Sequence, residues 1–134
     1  MGIDVLMLNF TQALGGITRR DEDVWLVEIP IDGERTRVLF FRLNSVLMGD
    51  DTRENVLVCS TSLGEYRGEH ALARLESVLR FAIELRYARV ALRDDELVLF
   101  ALAPEVSTED LMLEMVHEVA WMGEQISQEL ERVC

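Results

Sequence analysis

The stretch Arg35-Thr-Arg-Val-Leu-Phe-Phe-Arg-Leu43 is rich in β-branched and aromatic residues, which is typical of a β-strand. Side chains alternate between the two faces of a strand, so Leu39 and Phe41 point to one side while Val38 and Phe40 point to the other. A sheet that is covered on one face only should carry polar residues on its second face. This stretch therefore predicts a sheet with apolar side chains on both faces.

Two further predicted strands, residues 55–63 and 97–103, show the same two-sided pattern. In the first of them, Leu57 and Cys59 oppose Val56 and Val58. In the second, Leu97 and Leu99 oppose Val98, Phe100 and Leu102. Two helices can cover one face of such a sheet. We therefore expect something else to cover part of the other face.

Turn and helix signals divide the rest of the chain into elements. The pattern predicts helices over residues 3–14, 69–85 and from a capping box at 107–110 to about 131, and strands over 24–31, 35–43, 55–63, 87–92 and 97–103. The predicted order is α-β-β-β-α-β-β-α. It indicates an α+β protein, a single domain over residues 1–134, with helices packed on an antiparallel sheet.

The charge of the chain is strongly acidic and unevenly distributed. The net charge is −12, and every one of the 13 basic residues is arginine, which is typical of a bacterium with a GC-rich genome. Residues 94–134 hold eleven acids and one base, so they carry −10 of the total. Such a field repels nucleic acid and attracts a basic protein, for example a nucleic-acid-binding protein.

The sequence favours a cytoplasmic location without membrane contact. No apolar run approaches the roughly 18 residues of a membrane span, and the amino terminus lacks a basic leader segment. The two cysteines are too far apart in the sequence to indicate a disulfide framework or a zinc site, which fits a reducing compartment.

The middle helix carries apolar side chains over about 200° of its circumference, against about 100° for an ordinary surface helix. This excess favours a second subunit packed on the helix, and the alternative is a helix wedged into its own core. The predicted dimer interface consists of Ala71, Leu72, Leu75, Val78, Leu79 and Ile83.

In the final helix, Trp121 lies outside the apolar stripe and among acidic residues. An aromatic side chain ringed by carboxylates is a candidate anchor for a basic segment of a partner, unless it packs on a neighbouring loop or a second subunit. The predicted partner-binding surface combines this tryptophan, nearby acidic residues of the final helix and two outward-facing residues of the second predicted strand. Its residues are Trp121, Glu114, Glu118, Glu124, Phe40 and Val38.

No motif in the chain specifies a reaction. Glu114-x-x-His117 has the spacing of di-iron helices, but both residues fall on the polar face and the motif has no second copy. Phosphate-binding glycine loops and nucleophile elbows are absent from the sequence. We therefore predict no enzyme activity, no catalytic residues, no metal and no cofactor.

Two stretches resemble known families. Glu96-Leu-Val-Leu-Phe-Ala-Leu-Ala-Pro104, followed by Val106-Ser-Thr-Glu-Asp-Leu111 and a long helix with a tryptophan, is similar to the end of type III secretion chaperones of the CesT kind. Leu14-Gly-Gly-Ile-Thr-Arg19, followed by an acidic turn and a strand with Trp25, resembles the YbjN family. That family is described as candidate bacterial sensory transduction regulators with the fold of those chaperones.

The resemblance implies a small, acidic, cytoplasmic homodimer without enzyme activity, with the middle helix at the dimer interface. The sequence thus predicts a chaperone-like or regulatory protein that binds a partner protein, with stress response as one setting. Two alternatives stay open. One is a dedicated chaperone of a type III secretion effector, and the other is a small-molecule sensor or enzyme that uses the open face of the sheet.

Overall fold

A computed structural model describes residues 3–47, 49–104 and 107–132. Within them the elements are α1 (Ile3–Leu14), β1 (Ile17–Asp21), β2 (Val24–Asp32), β3 (Arg35–Leu47), β4 (Arg53–Glu65), α2 (Ala71–Ala82), β5 (Arg89–Arg93), β6 (Glu96–Pro104) and α3 (Glu109–Arg132). The six strands form one antiparallel sheet in the order β1-β2-β3-β4-β6-β5. The predicted α+β fold class and antiparallel sheet are confirmed.

Strand β1 was not predicted from the sequence. It is short, with two arginines in five residues, so its propensity for strand is weak. It forms by pairing with β2, where the Arg20 guanidinium lies 5.3 Å from the ring centre of Trp25. Thr18 is also hydrogen-bonded to Thr11 of α1. Tertiary contacts therefore create this strand.

One face of the sheet packs against the helices. Phe10 of α1 lies against Phe41 of β3, with ring centroids 5.9 Å apart, and both are almost fully buried. The buried side chains of all three helices belong to the same core as this face of the sheet. That core includes Met7, Phe10, Leu39, Phe41, Leu57, Cys59, Val78, Leu97, Leu99, Val116, Val119 and Ile126.

Helix α3 approaches β4 closely at Gly123. A Cβ atom added to Gly123 would lie 2.8 Å from Cγ2 of Thr61, a distance at which the two atoms would clash. The glycine therefore lets the helix backbone lie directly over the strand. This close approach brings the next residue, Glu124, to the arginine side chains of β3.

The opposite face of the sheet is not covered by any helix of the described residues. Its outward-facing residues include Val38, Phe40 and Leu102, which are 36%, 37% and 48% exposed. The two-sided apolar pattern of the strands is therefore confirmed. We call this surface the open face.

Candidate binding surfaces

The open face forms a trough of about 370 Å³ in the middle of the sheet. Its apolar lining is contributed by Val24, Phe40, Val58, Ala91, Val98 and Phe100. Although no described helix covers this face, Val98 is only 4% exposed and Ser60 only 7%. Larger neighbours on the open face, such as Phe40 and Phe100, therefore shelter these two residues.

The strand register fixes the arrangement of residues across the trough. One cross-strand row runs through the centre as Arg19, Leu26, Phe40, Ser60, Phe100 and Arg89. A second row places Arg42 opposite Val58. The open face thus combines an apolar centre with arginines, although the chain as a whole is acidic.

Of the predicted partner-binding residues, Val38 and Phe40 lie on the open face and are accessible. Trp121, Glu114 and Glu118 lie together elsewhere, along a groove of about 570 Å³ between α3 and the segment that follows α2. Five of the six predicted residues therefore lie on two separate surfaces of the molecule.

The indole ring of Trp121 is stacked on the His117 imidazole, with centroids 4.1 Å apart and planes 7° from parallel. Trp121 is half-buried and packs against the hydrophobic core. The stacked pair leaves an aromatic surface at the groove, next to the Glu114 and Glu118 side chains. The predicted proximity of the indole to these two carboxylates is confirmed.

The carboxylates beside Trp121 bind the chain itself. Glu118 accepts hydrogen bonds from the backbone N–H groups of Arg86, Tyr87 and Ala88 at 2.9, 2.8 and 2.6 Å. Glu114 accepts a hydrogen bond of 2.8 Å from the Tyr87 hydroxyl, and this bond raises the pKa of the Tyr87 phenol. Both acids therefore hold the segment between α2 and β5 against α3.

Glu124 does not belong to the surface around Trp121, which corrects the interpretation from the helical wheel. Its Oε2 lies 3.0 Å from Nε of Arg37, and its Oε1 lies 3.4 Å from Nη1 of Arg35. The Arg37 guanidinium also donates to the Thr61 hydroxyl, the Ser62 carbonyl and the Ser127 hydroxyl, at 2.9–3.1 Å. Glu124 thus faces the sheet, where it neutralises an inward-pointing arginine.

The predicted dimer residues of α2 divide into two groups. Val78 is fully buried in the core of its own chain, so its assignment to a subunit interface is wrong. Ala71 and Leu75 are half-buried, and Leu75 packs against the core. In contrast, Leu72, Leu79 and Ile83 are 62%, 54% and 90% exposed. Only these three form an exposed apolar surface, which we call the α2 patch.

Neither the buried thiol nor the titratable side chains of the described residues form a metal-binding site. Cys59 is buried in the core, and this burial raises the pKa of its thiol, so it stays protonated. Within the described ranges no three His, Cys, Asp or Glu side chains are placed to hold a metal ion. No helix among them is long and apolar enough to span a membrane.

These features define an α+β protein with one helix-covered and one apolar open sheet face. No family model matches the chain, and no curated protein matches it. Among solved structures, it is similar to YbjN, a candidate transcription regulator from E. coli, with 16% identity and a TM-score of 0.49. The match covers 97% of this chain and 89% of YbjN. This matched structure bears the name of the family that the sequence resembles.

Proposed function

We propose that this chain is a non-enzymatic, chaperone-like or regulatory protein of the bacterial cytoplasm that acts as a homodimer and binds a partner protein. The observation that carries this proposal is the apolar area left exposed on the open face and on the α2 patch. Contiguous exposed apolar surface on a soluble chain usually marks an interaction site. Stress response is one setting for such an activity.

The two exposed apolar surfaces suit different tasks. The α2 patch consists of aliphatic side chains on and just beyond one helix, a suitable surface for the same helix of a second subunit. The open face, with Val38 and Phe40, is then left for the partner protein. The charge of −10 on residues 94–134 attracts a basic partner and speeds its association.

The α2 patch is tested by replacing Leu79 with aspartate. We expect the wild-type chain to be a dimer at micromolar concentration and the Leu79→Asp variant to be a monomer, because a carboxylate would be desolvated in the apolar contact. Light scattering measures both masses. Leu8→Asp is a matched control, since Leu8 of α1 is 55% exposed against 54% for Leu79. A monomeric wild type, or a dimeric Leu79→Asp, contradicts the assignment.

The open face is tested with Phe40→Asp. A partner captured by the wild-type chain from its native cell and then purified should bind this variant at least about tenfold more weakly, a loss of about 1.4 kcal/mol. The dissociation constant is measured by titration, with Leu8→Asp as the control that keeps wild-type affinity. Equal affinity of Phe40→Asp and the wild type would place the partner elsewhere.

A further inference from the structure

The groove between α3 and the segment that follows α2, which we call the α3 groove, has a largely apolar lining. Leu14, Leu113 and Met122 contribute aliphatic surface, and Tyr87 and Trp121 add aromatic rings. All five side chains also pack against the hydrophobic core, so the lining is held in place. Arginine and lysine bury their hydrocarbon stems along apolar surface of this kind and keep the charged group at its rim.

Three carboxylates line the α3 groove at intervals of about one helical turn. Asp110, Glu114 and Glu118 follow one another every four residues along α3. Like charges at this spacing destabilise a helix. Within the described ranges, none of the three forms an ion pair with a basic side chain. A cationic occupant would therefore complement the charge of the α3 groove.

Arg86 shows how a guanidinium group fits this surface. It lines the α3 groove, and its Cζ lies 4.9 Å from the ring centre of Tyr87. Planar guanidinium groups stack on aromatic rings and donate two parallel hydrogen bonds to a carboxylate, which an ammonium group does not. Since Arg86 is the one arginine against three acidic side chains in the lining, the α3 groove stays negative. Its aromatic rings and carboxylates favour arginine over lysine.

The spacing of the acceptors that remain matches an extended segment. Glu118 already accepts three backbone N–H bonds, and Oε2 of Glu114 accepts the Tyr87 hydroxyl. Asp110 and Oε1 of Glu114 accept no hydrogen bond from the described part of the chain, and the two residues are about 6 Å apart along the helix axis. In an extended chain, side chains on one side repeat every two residues, or about 6.6 Å. Two arginines separated by one residue can therefore reach both carboxylates.

We propose that the α3 groove binds an extended Arg-x-Arg segment of a basic partner protein. The two guanidinium groups pair with the Asp110 and Glu114 carboxylates, and an apolar side chain two residues further along lies towards Trp121. This inference rests on the proposed binding of a basic partner, and it names a contact separate from the open face.

The test uses the capped peptide acetyl-Arg-Ser-Arg-Ser-Leu-amide and its counterpart with lysine in place of both arginines. In calorimetric titrations at low ionic strength, the wild-type chain should bind the arginine peptide saturably, with a dissociation constant below about 1 mM. It should bind the lysine peptide at least about threefold more weakly. In a Trp25→Phe variant, which keeps Trp121 as its single tryptophan, the arginine peptide should change the indole fluorescence. Absence of saturable binding, an unchanged fluorescence, or equal binding of the two peptides overturns the proposal.

Charge-matched variants separate the α3 groove from general attraction to an acidic chain. Asp110→Asn and Glu114→Gln should each weaken binding of the arginine peptide by about threefold to tenfold, because each removes one charge-assisted contact. Glu131→Gln is the matched control, since Glu131 is an exposed acid of the same helix that does not line the α3 groove. Its loss should stay within about twofold. Equal losses in the three variants overturn the proposal.

The Phe40→Asp variant separates this inference from the proposed function. It alters the open face and not the α3 groove, so it should bind the arginine peptide within about twofold of the wild type. Loss of peptide binding in Phe40→Asp would place the peptide on the open face and overturn the assignment. Since no partner protein is present in these titrations, their failure leaves the partner-binding test with Phe40→Asp unaffected.

Discussion

Replacing Glu124 with alanine is expected to lower the free energy of unfolding by about 3 kcal/mol, because it leaves the charge of Arg37 without its carboxylate inside the protein. The side chains of Arg37 and Glu124 are only 13% and 14% exposed, and the atoms that pair are 3.0 Å apart. Arg37 keeps neutral hydrogen-bond acceptors in the variant, but these do not neutralise its charge. Equilibrium unfolding in urea measures the loss.

The matched control is Glu129→Ala on the same helix. Glu129 pairs with Arg132, whose side chain is 77% exposed, so this loss should stay within about 0.5 kcal/mol. The double variant Arg37→Met/Glu124→Leu removes both charges and should regain stability to within about 1 kcal/mol of the wild type. If Glu124→Ala is no less stable than Glu129→Ala, the buried pair has no structural role.

Much of the fold was predictable because it depends on local patterns. Helix α1 has the predicted bounds, Gly15 at its end has a φ of 72°, and Thr108 caps α3 by accepting the Leu111 N–H. The two faces of each strand follow from simple alternation, so the apolar open face was also predictable. These features can be predicted without knowing which helices and strands pack against each other.

The predictions are wrong where the contacts of a residue depend on a distant part of the chain. A helical wheel places Glu124 near Trp121. The partner of Glu124, however, is Arg37, which lies 87 residues earlier in the chain on β3, and a wheel of α3 carries no information on the position of that strand. The wheel of α2 shows a wide apolar surface without showing that Val78 faces the core and Leu79 does not.

The second large effect is expected at Glu118, whose carboxylate is the acceptor for three consecutive backbone N–H groups. Glu118→Ala should lower the free energy of unfolding by about 2–3 kcal/mol, because hydrogen bonds to a charged group are lost and partly buried donors are left unpaired. Glu118→Gln keeps a neutral acceptor and should lose about half as much.

A local measurement separates this effect from general destabilisation. In Glu118→Ala, amide hydrogen exchange should accelerate at Arg86, Tyr87 and Ala88 more than at the core strands, since the segment is released from α3 before the sheet opens. Glu114→Ala is the matched control, because it removes only the bond to the Tyr87 hydroxyl and leaves all three backbone N–H bonds in place. Equal exchange at these three amides in Glu118→Ala and Glu114→Ala would show that the Glu118 carboxylate does not hold the segment.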